Sequence, residues 1–196
     1  KVFIILSGMP AVFISEIDGD SEIFQLNTDT GDAKRITSNS SSDIDPVWSP
    51  DRTKIAYVGD QSGRFQLYVA DPKEGVIKRL LLGLHRDLEP MTPLWSPDGG
   101  KLAFSGSLND EHELYVIGSD ELDESDAARI TFNDSREYLD DWSPDGEWLV
   151  FSASGTDSES GLWLRNPDGV NLVRLTDGID TDAEWSPDGN SIVFSR

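Results

Sequence analysis

The tetrapeptide Trp-Ser-Pro-Asp occurs four times in this 196-residue chain, beginning at Trp48, Trp95, Trp142 and Trp185. Successive copies lie 47, 47 and 43 residues apart. A fixed period of this size marks a repeat architecture. One unit cannot bury its own hydrophobic faces, so the units must stack.

Around each copy the same order of short strands returns. The second strands are Ala11 to Ser15, Lys54 to Val58, Lys101 to Ser105, Trp148 to Ser152 and Ser191 to Ser195. The third are Glu22 to Asn27, Gln66 to Ala70, Glu113 to Ile117 and Gly161 to Arg165. The fourth are Ala33 to Thr37, Val76 to Leu80, Ala128 to Thr131 and Leu172 to Thr176. Val2 to Leu6 reads as a first strand, and Pro46 to Ser49, Leu94-Trp95, Asp141-Trp142 and Glu184-Trp185 mark the exits of the others. Pro and Gly punctuation leaves no room for a long helix. Four short strands per unit predict an all-β propeller of antiparallel blades. The blades are expected at 1–40, 41–85, 86–133 and 134–178, with a half-blade at 179–196, about four and a half in all.

The motif itself is turn chemistry. Pro50, Pro97, Pro144 and Pro187 fix φ at the second position of a type I turn, and Ser suits the first. Asp51, Asp98, Asp145 and Asp188 follow, and then Gly in three copies and Arg52 in the other, where strain or a different geometry is expected. Trp48, Trp95, Trp142 and Trp185 precede the turn, as large apolar rings suited to filling the space between blades. The alternative is an aromatic box for a ligand.

These residues resemble the TolB-like, WD40-like Pro-Asp repeat β-propeller family. Its pattern runs acidic-x-x-Pro-x-Trp-Ser-Pro-Asp-Gly, then Ile/Leu-Ala-Phe, Leu-Tyr-Val and Arg-Leu-Thr. Asp43 to Asp51 carries nearly the whole opening, and the likeness covers essentially the entire chain. At the N-terminus Ser7-Gly8-Met9-Pro10 stands where the motif would be. The resemblance implies a protein-binding or scaffolding propeller. TolB itself is periplasmic and works in the Tol-Pal envelope system with a peptidoglycan-associated lipoprotein. Propellers of this kind usually have six blades, sometimes seven or eight. The chain lacks an initial Met and begins and ends within strand-like sequence, so an arc or fragment of a larger propeller is expected, with an open blade edge through which copies could associate. The same repeats resemble the propellers of prolyl-oligopeptidase-type serine peptidases, which would place a catalytic domain outside this chain.

Charge narrows the partners. Lys and Arg number 16 against 37 Asp and Glu, a net charge of −21 spread along the chain. Nucleic-acid binding needs clustered Lys and Arg, which are absent here, and docking on anionic lipid is disfavoured for the same reason. No apolar run is long enough to span a membrane. With no cysteine there is no disulfide, thiolate metal site or Cys nucleophile. His85 and His112 sit in different loops, and no Gly-x-Ser-x-Gly elbow occurs. The expectation is a chain that binds a protein or peptide, in the periplasm or outside the cell, and catalyses nothing.

The functional interest therefore moves to the acids just before each Trp: Asp43 and Asp45; Asp87 and Glu89; Glu137, Asp140 and Asp141; Asp180, Asp182 and Glu184. The first strand of a propeller blade is innermost, so Asp43, Asp45, Glu89, Glu137, Asp180 and Asp182 are expected at a channel mouth, as a negative funnel for basic peptide segments. Two other readings stay open. The acids can be solvated loop residues capping strand N–H groups, or hard oxygen ligands for Ca²⁺. No cofactor is otherwise implied. A further acidic insertion is expected at Asp120 to Asp126.

Overall fold

A computed structural model describes residues 9–17, 19–80, 87–109, 111–119, 127–156 and 159–196. The strand expected at Val2 to Leu6, the acidic insertion at Asp120 to Asp126 and His85 lie outside them. Among the described residues every element is a strand, and each sheet is an antiparallel meander in sequence order. The chain divides into two compact units, Lys1–Leu80 and Leu81–Arg196.

The first unit holds two sheets. One is three-stranded, β1 (Ala11–Ile17), β2 (Asp20–Leu26) and β3 (Ala33–Arg35). The other is four-stranded, β4 (Asp43–Trp48), β5 (Ile55–Gly59), β6 (Gln66–Asp71) and β7 (Val76–Arg79). Ile23, with Val12 and Ile36, packs against Ile55, Tyr57, Tyr68 and Ala70, and Trp48 closes the cluster.

The second unit holds three sheets. They are β8 (Glu89–Trp95) to β9 (Lys101–Leu108), β10 (Glu111–Gly118) and β11 (Ala128–Arg129); β12 (Arg136–Trp142) to β13 (Leu149–Ser154), β14 (Gly161–Arg165) and β15 (Leu172–Arg174); and the pair β16 (Thr181–Trp185) and β17 (Ile192–Ser195). Ala103, Leu114, Val116 and Ile130 of the first meet Leu139, Trp142, Leu149 and Phe151 of the second. Val150 and Leu162 of the second meet Ala183 of the third, with Trp185 alongside. Within each unit the sheets are therefore propeller blades stacked face to face, their facing apolar sides closed against one another. Trp142 does what the repeat asks of it, filling the gap between two blades with its indole N–H donated to the Leu94 carbonyl at 3.3 Å.

The four Ser-Pro-Asp turns are superimposable in their bonding. In each, the Ser hydroxyl donates to the Asp carboxylate, at 2.6 Å for Ser49–Asp51, 2.6 Å for Ser96–Asp98, 2.5 Å for Ser143–Asp145 and 2.6 Å for Ser186–Asp188. The same hydroxyl accepts the N–H five residues on, and the carboxylate accepts the N–H two residues on. Ser and Asp thus tie the two ends of the turn together, beyond what φ preferences alone supply. Gly99, Gly146 and Gly189 follow at φ 74°, 73° and 71°, and Arg52 holds the same left-handed conformation at 58°, a strained choice for a residue with a Cβ.

The first strands run further than the sequence suggests. Each carries one extra residue in a β-bulge, between Ile44 and Val47, Met91 and Leu94, Leu139 and Asp141, and Thr181 and Glu184. Pro46 and Pro93 fall inside these bulges, where the ladder is already interrupted and a missing N–H costs little. Asp45, Thr92 and Asp182 take positive φ of 51°, 47° and 55° there.

Candidate functional site

The acid five residues before the motif Trp is Asp43, Glu137 or Asp180, and all three are buried, at 0%, 0% and 1% exposure. This corrects the expectation that they face a channel mouth. Each is built into a clasp that joins the end of one blade to the start of the next. Thr37 Oγ1 accepts the N–H of Ile23 at 2.9 Å, Thr131 Oγ1 that of Leu114 at 2.9 Å, and Thr176 Oγ1 that of Leu162 at 2.9 Å. Two residues before each Thr an Arg donates Nε to the Thr carbonyl, at 2.9 Å from Arg35, 2.8 Å from Arg129 and 2.8 Å from Arg174. The far side of the guanidinium takes a buried acid from the third strand, Glu22 at 2.7 Å in one clasp and Glu113 in another. In the third clasp that position is Gly161, and Arg174 Nη2 donates to the Ser160 carbonyl at 2.7 Å instead. An Asn side chain then reaches the first-strand acid, Asn39 to Asp43 at 2.8 Å and Asn133 to Glu137 at 2.6 Å. Asp180 is held by Arg196, with Nε at 2.8 Å and Nη2 at 3.0 Å.

Electrostatics follow from this packing. Burial raises Asp43 above the ordinary carboxylate range. Burial also pushes Glu22 up, but hydrogen bonds from Thr37, the Asn39 N–H and Arg35 outweigh it and leave Glu22 below its usual value. Burial, with Glu113 beside it, pushes Glu137 up to about 7. One oxygen of each, Glu113 Oε2 and Glu137 Oε2, is buried with no hydrogen-bond partner. A second carboxylate this close disfavours ionisation of Glu137 and adds to the effect of burial. The hydrogen bonds from Arg196 hold Asp180 down to about 2. Glu22, Glu113 and the Arg-x-Thr pairs escaped the search for site residues. Their signal was the Arg-Ile/Leu-Thr ending of three of the fourth strands, Arg35 to Thr37, Arg129 to Thr131 and Arg174 to Thr176.

The remaining acids are placed differently. Glu89 and Asp182 are exposed and Asp45 is half-buried. In the second unit the first strands are tied side by side. Trp142 reaches the Leu94 carbonyl, while Asp141 accepts the N–H of Trp142 at 2.8 Å and that of Trp185 at 2.8 Å. The row β8, β12, β16 exposes Glu89, Arg136, Tyr138, Asp182 and Glu184. Asp140 lies half-buried between them, and burial pushes it up to about 6. His112 is half-buried against the Tyr138 ring, with centroids 5.6 Å apart. Among the described residues no group of three or more His, Cys, Asp or Glu is arranged to hold a metal ion. No helix there is long and apolar enough to cross a membrane.

Comparison with known proteins bears on this arrangement. The TolB beta propeller domain family matches residues 7–92. The Tol-Pal system protein TolB of Desulfosudis oleivorans is 37% identical over 70 residues, which is 33% of this chain and 16% of that protein. The crystal structure of TolB from Acinetobacter baumannii superposes with a TM-score of 0.69 at 24% identity, over 89% of this chain and 42% of that one. The putative TolB from Agrobacterium tumefaciens superposes at 0.73 and 24% identity, over 96% of this chain and 72% of that one.

Proposed function

Because the chain is a TolB-like β-propeller, we propose that it is a non-catalytic scaffold of the cell envelope, periplasmic or extracellular, that binds a protein or peptide partner. The observation that carries this reading is the division of its acids. Those buried in the clasps hold the blades together. Those left on the first strands of the second unit, Glu89, Asp182 and Glu184, stand in solvent on a row of strands locked to one another. Rigid strands bearing exposed carboxylates beside the Tyr138 ring suit a partner that offers basic and apolar side chains together. The similarity to a Tol-Pal system protein supports an envelope role.

The test is anisotropy of a labelled, unstructured peptide of alternating Lys and Leu. Binding is expected to weaken as salt is raised, and by about fivefold or more in the Asp182→Asn/Glu184→Gln double variant. A matched peptide of Glu and Leu should not bind. Equal binding of both peptides, or none of either, would sink the proposal. So would hydrolysis of the peptide by the purified chain, read by mass spectrometry.

A further inference from the structure

The second blade carries the repeat Arg without the carboxylate that serves it in the first and third blades, and that cation faces a cleft. Each of the four blades with a third and fourth strand pairs an aromatic residue of the third strand directly across from the repeat Arg. The pairs are Phe24 with Arg35, Tyr68 with Arg79, Tyr115 with Arg129 and Trp163 with Arg174. Arg79 therefore occupies the same register as the clasp arginines. Where Glu22 and Glu113 supply a buried carboxylate, the second blade has Gln66, and its amide donates to the Phe65 carbonyl at 2.7 Å. Among the described residues no carboxylate is paired with Arg79.

Arg79 lines a cleft of about 530 Å³ within the first unit, together with Asn39, Gln61, Ser62, Tyr68 and Ile77. No acid lines it. Gln61 Nε2 is bound only loosely, at 3.4 Å from Asp43 Oδ1 and 3.4 Å from Tyr57 Oη. The Tyr68 ring is fixed by stacking on Tyr57 at 5.3 Å, and Ile77 is 41% exposed. The cleft thus offers one guanidinium, a ring of amide and hydroxyl groups, and an apolar wall. A guanidinium without a protein carboxylate in a site of this composition is matched by a ligand carboxylate, through charge-assisted, bidentate hydrogen bonds.

We infer that the Arg79 cleft is a binding site for a carboxylate carried next to a short apolar group, either the C-terminus of a peptide or a free small acid. The carboxylate takes the place that Glu22 and Glu113 fill in the other clasps, and the apolar group lies on Ile77 and Tyr68. The net charge of −21 opposes any anion at long range. At about 0.15 M salt charges beyond ~8 Å are screened, so the guanidinium is weighed chiefly against Asp43, whose carboxylate is already bound by Asn39 and Gln61 behind the cleft. This inference does not rest on the partner-binding reading above, which concerns other residues in the other unit.

The experiment is calorimetric titration of the 196-residue chain at about 0.15 M salt with three probes. They are N-acetyl-leucine, the peptide acetyl-Gly-Ala-Leu with a free carboxylate, and the same peptide as its C-terminal amide. The acid forms are expected to bind at least about tenfold more tightly than the amide, and Arg79→Gln to lose that preference. The decisive variant is Gln66→Glu, which puts in the carboxylate that Glu22 and Glu113 supply in the first and third blades. It should melt at or above the wild-type temperature and no longer bind either acid. A tripeptide tighter than N-acetyl-leucine assigns the site to chain termini; equal affinities assign it to small acids. Equal binding of acid and amide, no binding of either acid, or wild-type binding by Gln66→Glu overturns the inference.

Discussion

A single residue, Glu137, shows what the repeat does to a carboxylate. Its side chain is fully buried, one oxygen is held by Asn133, and the other lies beside Glu113 without a partner. Burial raises it from 4.5 to about 7. The folded state therefore binds more protons than the unfolded one between these two values, and stability falls as pH rises through that window. Asp140, raised from 3.8 to about 6, adds to the same slope. Glu137→Gln keeps the shape, removes the ionisation, and can donate to the orphan oxygen of Glu113. Urea unfolding at intervals between about pH 5 and pH 8 should show a flatter profile for the variant than for wild type. At the alkaline end the variant is expected to be more stable, on the order of 1–3 kcal/mol, the scale of one unsatisfied buried group. A parallel pair of profiles would show that Glu137 titrates as it does in the unfolded chain.

At the scale of elements, the clasp dictates sequence at positions far from it. Gly59 ends β5 opposite Asp43, and a Cβ there would collide with the Asp43 carboxylate. Gly59→Ala is therefore expected to cost about 1–3 kcal/mol in a urea melt, the usual penalty of overpacking; a loss below about 0.5 kcal/mol would mean that the carboxylate has room to move. The strands that alternate or run β-branched, such as β5, β9 and β13, were legible in the sequence because their pattern is local. So was the hairpin turn, whose bonding partners all lie within a few residues. The first strands were read short, as little more than Leu94-Trp95 or Glu184-Trp185, because Pro46, Pro90 and Pro93 read as breakers and a bulge has no local signature. The fate of the acids was illegible for a stronger reason. Whether Asp43 meets water depends on Asn39, Thr37 and Gln61, which lie outside its own strand, and nothing in the strand alone says that the acid five residues before the Trp is buried while Asp182, three before, is exposed.

At the scale of the whole molecule, 37 acids against 16 bases make a net charge of −21. Self-repulsion of this size opposes the compact state, and added salt screens it. Melting followed by circular dichroism should move up by about 2–4 °C between roughly 0.05 and 0.5 M NaCl, on the scale of 1 kcal/mol. A flat or falling response would mean that the clasp ion pairs, which salt weakens, dominate over the diffuse charge. The bulge before each motif Trp has its own consequence at this scale. Side chains alternate along a strand, so residues five apart should point to opposite faces. The one extra residue in each first strand restores the count to even, and the acid and the Trp of one blade can serve the same neighbour. Parity is thus stored in a single residue per repeat. Losing it would turn every side chain upstream of that point inside out, an error no neighbouring substitution could repair. Length, more than identity, is what the chain must conserve between each acid and its tryptophan.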